Sequence, residues 1–310
     1  MEEFIELVLR AGRVTVDVSL YTLLPVMVVM MVMMRFLENY GFIERLTPIF
    51  APLLRPFGLS GLSVLALIQT SLVSFIAPLP TLLRMENQGV PERQLSATLA
   101  AVLAMAPANA LFPMAVYGVK TGENLMISIA CGLLAAGCCY YVFGRALTTS
   151  SERSNPVTTQ AAPAVSFLKI IEVSGVEAIT IVVKLIPALL LSILLVYGLQ
   201  ELGLSAALAL WLRPLLSMVG LSPEIVTPAI TNFLAGSTAL QGFYHSLSEG
   251  RSMPAVLVSN ATIGFLIHSV NMITIAVLVS AGPKIARSTA PAVAAAIVGI
   301  IARIYIGSLV

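Results

Sequence analysis

Between Arg251 and Lys284 the chain runs for 32 residues without an aspartate, glutamate, lysine or arginine. Similar gaps of 26 residues separate Arg93 from Lys120 and of 21 residues separate Glu123 from Arg145. About 20 apolar residues cross the hydrocarbon core of a bilayer, so runs of this length dictate membrane-spanning helices. Composition agrees: only 10% of the 310 residues are charged, and 58% are hydrophobic. An ordinary soluble domain carries about 25% charged residues, so this chain reads as neither a globular enzyme nor a disordered segment. The net charge of +2 comes without any basic block, which leaves nucleic acid out as a partner. The acidic start Met-Glu-Glu-Phe-Ile-Glu reads as an uncleaved first segment, since a secretory signal opens on positive charge.

The most polar stretch, 148–163, is rich in Ser, Thr and Pro and divides the chain near its middle. On either side the sequence repeats at an offset of 162: Pro25 with Pro187, Gly41 with Gly203, Gly58-Leu59-Ser60 with Gly220-Leu221-Ser222, and Asn109 with Asn271. Shared prolines, glycines and an asparagine at one offset mark a duplication. The units are a first repeat at 1–147, a polar cytoplasmic linker at 148–172 and a second repeat at 173–310. Each repeat begins with a long helix, near Val14 to Leu37 and Val176 to Leu199. A shorter interfacial segment follows, Phe42 to Phe57 and Leu204 to Val219.

Next in each half comes an apolar segment broken in its middle, 61–84 and 223–247. Pro78 and Pro80 interrupt the first, Gly236 and Gly242 the second. Non-helical backbone at membrane depth is tolerated only where it is buried in protein or lines a cavity. Paired interruptions in two repeats are the best sequence pointer to a transport site. If both segments turn back rather than cross, ten lysines and arginines fall on one side and five on the other, with Lys184 and Arg303 left inside spans. Such asymmetry is the mark of a cytoplasmic face. The expected fold is an all-α integral membrane protein of two inverted repeats. Each repeat has three spans, an interfacial helix and a re-entrant helical hairpin, and the linker is cytoplasmic.

Polar residues cluster on both breaks. Gln69, Thr70, Ser71 and Ser74 lie on the first; Asn232, Ser237, Thr238 and Gln241 lie on the second. The two sets are expected to face each other and to line a solute site or satisfy one another. Pro107 and Asn109, and then Asn260, His268, Ser269 and Asn271, interrupt the following helices, where an unwound turn would free carbonyls for a cation. His268, Asp17 and Glu177 are the candidate positions for proton or ion coupling, with Glu177 also placed for an ion pair with Lys184 or an interfacial anchor. Met27, Met30, Met31 and Met34 form a packing face, and Cys131, Cys138 and Cys139 read as small apolar packing residues. No catalytic motif, metal-ligand spacing or phosphate loop is present, so no enzyme activity, metal or cofactor is expected.

The stretches Ser74-Phe75-Ile76-Ala77-Pro78-Leu79-Pro80-Thr81-Leu82-Leu83-Arg84 and Asn232-Phe233-Leu234-Ala235-Gly236-Ser237-Thr238-Ala239-Leu240-Gln241-Gly242 resemble hairpin tips of the nucleoside recognition (Gate) domain family. That family takes in spore-maturation membrane proteins, the gate region of ferrous iron transporter B and concentrative nucleoside transporters. The resemblance spans both halves. It implies an ion-gradient-driven permease in a bacterial-type inner membrane, with Na+ or H+ as coupling ion. Its cargo would be a small polar solute, nucleoside-like solutes included. Gln69, Thr70, Ser74, Asn109, Asn232, Ser237, Thr238, Gln241 and Asn271 are the expected solute-binding residues. The first tip lacks the glutamine-threonine-glutamate group of the nucleoside transporters. The likeness to spore-maturation proteins supports a rival reading, a membrane scaffold. Either reading leaves the oligomeric state open, a homo-oligomer included.

Overall fold

The computed structural model describes all residues except 1, 42–48, 51, 148–165, 204–206, 208–209, 212, 215, 218–219 and 249–252. About half of each expected interfacial segment and most of the expected linker lie outside the described residues. Every regular element among the described residues is helical.

Helix α1 (Glu2–Asp17) passes through a π-helical stretch, Val18–Leu23, into α2 (Leu24–Asn39). The helix therefore starts well before Val14. No proline interrupts residues 2–17, and their amphipathic pattern turns Phe4, Ile5 and Leu9 outward while burying Ala11 and Val14. Met27 and Met31 are buried on one face of α2, as their spacing requires.

The first broken segment comprises α3 (Gly61–Leu72) and α4 (Leu79–Asn87). Ser60 and Ser63 form a capping box at the start of α3. Thr81 Oγ1 donates to Gln69 Oε1 at 2.8 Å. On one continuous helix, residues twelve apart would be separated by about 18 Å. The bond therefore requires the chain to turn back at 73–78, so this segment is a hairpin.

Helix α5 (Glu92–Ala104) breaks at Met105–Pro107 and resumes as α6 (Ala108–Leu111) and a 3-10 turn, Phe112–Tyr117. Helix α7 (Thr121–Cys138) follows. Helix α8 (Phe167–Glu201) carries Pro187 in its interior and begins within the stretch expected to be linker, on the apolar residues Phe167, Leu168, Ile170 and Ile171. Helix α9 (Val226–Ser248) is the second broken segment, with non-helical backbone at Gly236. Then come α10 (Asn260–Leu266), a break at 267–271, α11 (Met272–Ala281) and α12 (Pro283–Leu309).

Among the described residues, three stretches are long and apolar enough to cross a membrane: Glu92–Tyr117, Thr121–Phe143 and Pro283–Leu309. Of an 18-residue apolar window in the broken one, Glu92–Tyr117, 83% is buried inside the protein, against 33% for the corresponding window of Thr121–Phe143. The interrupted backbone is thus walled off from lipid, as its unpaired groups demand. Small residues make this enclosure tight. Ala97, Ala100, Ala101 and Ala104 on α5 pack with Ala292, Ala295 and Ala296 on α12, and all are fully buried. A second layer holds α1, α2 and α8, with α9 packed across it. The chain is a multi-pass membrane protein.

Positions 162 apart share unusual backbone. Gly41 and Gly203 have φ of 63° and 66°, and Gly58 and Gly220 have 76° and 73°. The helix breaks also correspond, with Met105 lying 162 before Ile267.

Candidate functional site

A helix break leaves carbonyls and amides without intrahelical partners, and buried ones must find others. Here the two breaks supply partners to each other. Ser269 N–H, in the second break, donates to the Leu103 carbonyl at the end of α5 (3.0 Å). Arg303 Nη1, from α12, donates to Ala104 O (3.0 Å) and to Ile267 O (2.6 Å), one carbonyl from each break. The two broken segments join the same assembly. Asn109 N–H donates to Val73 O at the first tip (3.0 Å). Gln241 Nε2, past Gly236 in the second broken segment, donates to Asn109 O at 2.6 Å. A Cβ on Gly236 would lie 3.9 Å from Asn271 Nδ2. Both breaks and both broken segments therefore meet in one region.

This region holds polar atoms that lack partners. Asn109 Oδ1, Asn232 Oδ1, Gln241 Oε1, Ser269 Oγ, Asn271 Nδ2 and Thr274 Oγ1 are buried and unbonded. An unsatisfied buried group costs about 1–3 kcal/mol, so a cluster of them is a marked departure from ordinary packing. Asn271 is positioned by its other end, Oδ1, which caps α11 by accepting from Thr274 N–H (2.9 Å).

Two clefts flank the cluster, each of about 430 Å³. One lies against the first tip and is lined by Gln69, Val73, Ser74 and Ala77 together with Arg35 and Glu177. The other is largely apolar, with Asn232 and His268 as its polar lining among Phe233, Phe265 and the isoleucines of α12. His268 Nδ1 accepts from Val270 N–H at 3.1 Å, which puts the proton of a neutral ring on Nε2.

Of the expected residues, Gln241 and Asn109 are joined directly, and Asn271 lies beside the Gly236 break. Asn232 and Ser237 are buried on the same segment. Gln69 pairs with Thr81 of its own hairpin and Thr70 Oγ1 donates to Ala66 O, so neither bonds to the second tip. The Thr238 side chain is outside the described residues. Glu177 pairs with Arg35 of α2, and the Lys184 side chain is likewise not described. Asp17 lies 3.9 Å from His245 Nε2, which ties α1 to the end of α9. Cys131 and Cys139 are buried, Cys138 is half-buried, and none of the three forms a disulfide. Among the described residues no group of three or more His, Cys, Asp or Glu could hold a metal ion.

Sequence reading missed Arg303 and Arg35. Arg303 carried a usable signal, a cation inside an apolar run, where it is expensive unless it has a function. Arg35 had none, because its partner lies 142 residues away.

Residues 20–143 match the Gate family model, described as nucleoside recognition. No curated protein matches the chain in sequence. Among solved structures, the chain is similar to CNTnw, a concentrative nucleoside transporter, in an inward-facing substrate-bound state. That match has a TM-score of 0.68 at 21% identity and covers 94% of this chain and 74% of the other. Two variants of CNTnw in an outward-facing state match with TM-scores of 0.65 and 0.69, at 21% and 19% identity. They cover 92% of this chain in each case, and 73% and 74% of theirs. The chain has the fold of that transporter.

Proposed function

We propose that this protein is a secondary transporter for a small polar solute of nucleoside type, working by alternating access about the meeting point of its two broken segments. The observation that carries this reading is the convergence of both helix breaks on unpartnered buried polar atoms. Side chains that lack partners in the protein are suited to a solute that supplies them. Asn232, Ser237, Thr238, Gln241, Asn109 and Asn271 form the solute-facing set on the second side, with Gln69, Thr70 and Ser74 on the first. Asparagine and glutamine amides offer both donors and acceptors, which fits an uncharged solute with hydroxyls and ring nitrogens. The two halves, 1–147 and 173–310, act as inverted repeats in a bacterial-type inner membrane, joined by a cytoplasmic linker. Na+ or H+ supplies the driving gradient, with Asp17, Glu177 and His268 as coupling positions.

A scaffold reading draws on one feature, the bond from Gln241 to Asn109 O, which is glue of the kind that holds packed membrane helices. Direct binding separates the two. Purified protein in detergent should bind adenosine or uridine saturably, measured by equilibrium dialysis. Asn232→Ala should weaken that binding by about 5- to 150-fold, the equivalent of 1–3 kcal/mol for a lost buried partner. Absence of binding to any nucleoside by folded wild-type protein would favour the scaffold.

A further inference from the structure

Arg303 is fully buried, the largest side chain in the described core to be so. No carboxylate pairs with it among the described residues. A lone buried cation is costly, and its surroundings must offset the charge. It bonds two acceptors, Ala104 O and Ile267 O, while its Nε and Nη2 find none among the described residues. Ala104 is the last residue of α5, so its carbonyl lies at the negative end of that helix's aligned peptide dipoles, as much as about half a charge. Ile267 follows α10 with extended backbone, φ −106° and ψ 91°, so its carbonyl is one freed by the break. A helix C-terminus and an unwound carbonyl aimed at one guanidinium offset part of its charge. Helix C-termini and unwound carbonyls are also the groups that coordinate monovalent cations in membrane proteins.

We infer that Arg303 is a positioning residue that supplies, from within the chain, the positive charge called for by a helix C-terminus and an unwound carbonyl that converge on it, and that its removal turns this spot into a binding site for a monovalent cation. Arg303 stands four residues from Gly299 and four from Gly307, on the face of α12 that presses most closely on its neighbours. The contact is therefore built into the packing and is not a surface charge that happened to fold inward. It also links the repeats, since one acceptor belongs to the first half and the other to the second. The inference does not depend on what is transported, or on whether anything is.

The test is a thermal melt of purified protein at constant ionic strength, with choline replaced by Na+ or by 1–20 mM guanidinium. Wild type sets the baseline, including any stabilisation by Na+ acting as a coupling ion elsewhere in the protein. Arg303→Met and Arg303→Ala should melt lower, and at least one of the two cations should raise their melting temperature saturably by about 2–4 °C beyond its effect on wild type, as binding at a new native-state site requires. Arg303→Lys keeps the charge and should respond to both cations as wild type does. If the neutral variants fold and gain no response beyond wild type, or if the Lys variant gains the same response as they do, the inference is wrong. If neither neutral variant folds, the Lys variant decides. Its purification with the wild-type cation response supports the inference, and its failure to fold, or a cation response beyond wild type, overturns it.

Discussion

Gly299→Val should yield no folded, monodisperse protein. A Cβ at this position would lie 2.8 Å from Ala135 Cβ, 2.9 Å from the Cys131 carbonyl and 3.0 Å from Ala104 Cβ. These atoms are backbone or short side chains on α5 and α7, so none can swing away. Relief would have to come from moving α12 bodily off both helices. Overpacking a core typically costs 1–3 kcal/mol and occasionally more, and valine adds a branched Cβ with one stiff rotamer. The move would also carry Ala104 away from Arg303, undoing the bond that holds the first break. Gly299→Ala should fold but melt several degrees lower. Gly122→Ala, where a Cβ would meet nothing within 4 Å, is the matched control and should be unchanged. Size-exclusion chromatography and thermal melts read all three.

Gly236→Ala should give a folded protein that has lost its activity. Gly236 has φ 78° and ψ 172°, a conformation essentially restricted to glycine. Space is not the obstacle, because the nearest atoms to a Cβ would be Ile273 Cδ1 at 3.8 Å and Asn271 Nδ2 at 3.9 Å. The penalty is backbone strain of about 1–3 kcal/mol, which the segment can escape only by rewinding its break. Rewinding would displace Ser237 and Gln241 relative to Asn271. Nucleoside binding should fall by at least about tenfold, while the elution profile stays normal. A variant that binds like wild type would separate the break from the binding site.

Much of this design is legible in the chain itself. Charge-free runs call for membrane helices, and prolines and glycines mark each break to within a few residues. The 162-residue offset predicts matching backbone, and Gly41 with Gly203 and Gly58 with Gly220 do share left-handed φ values. The hairpin followed from counting lysines and arginines, and the bond from Thr81 to Gln69 makes the first one explicit. What stayed hidden is pairing across long sequence distances. Nothing local tells Arg35 that it will meet Glu177, or Gln241 that its amide will reach a backbone carbonyl of Asn109. Periodicity places a residue on a face, but the partner of that face is set by how the halves assemble. Arg303 shows the limit best. Its cost inside a span was evident, yet the two carbonyls it bonds are freed only where both helices break.

Uptake into proteoliposomes tests the central claim most directly. Purified protein is reconstituted, an inward Na+ or H+ gradient is imposed, and accumulation of radiolabelled adenosine, uridine and cytidine is followed. The account predicts saturable, gradient-dependent accumulation of at least one nucleoside, reduced by about tenfold or more in Asn232→Ala although that protein reconstitutes normally. Folded, reconstituted wild-type protein that accumulates none of the three under either gradient would contradict it.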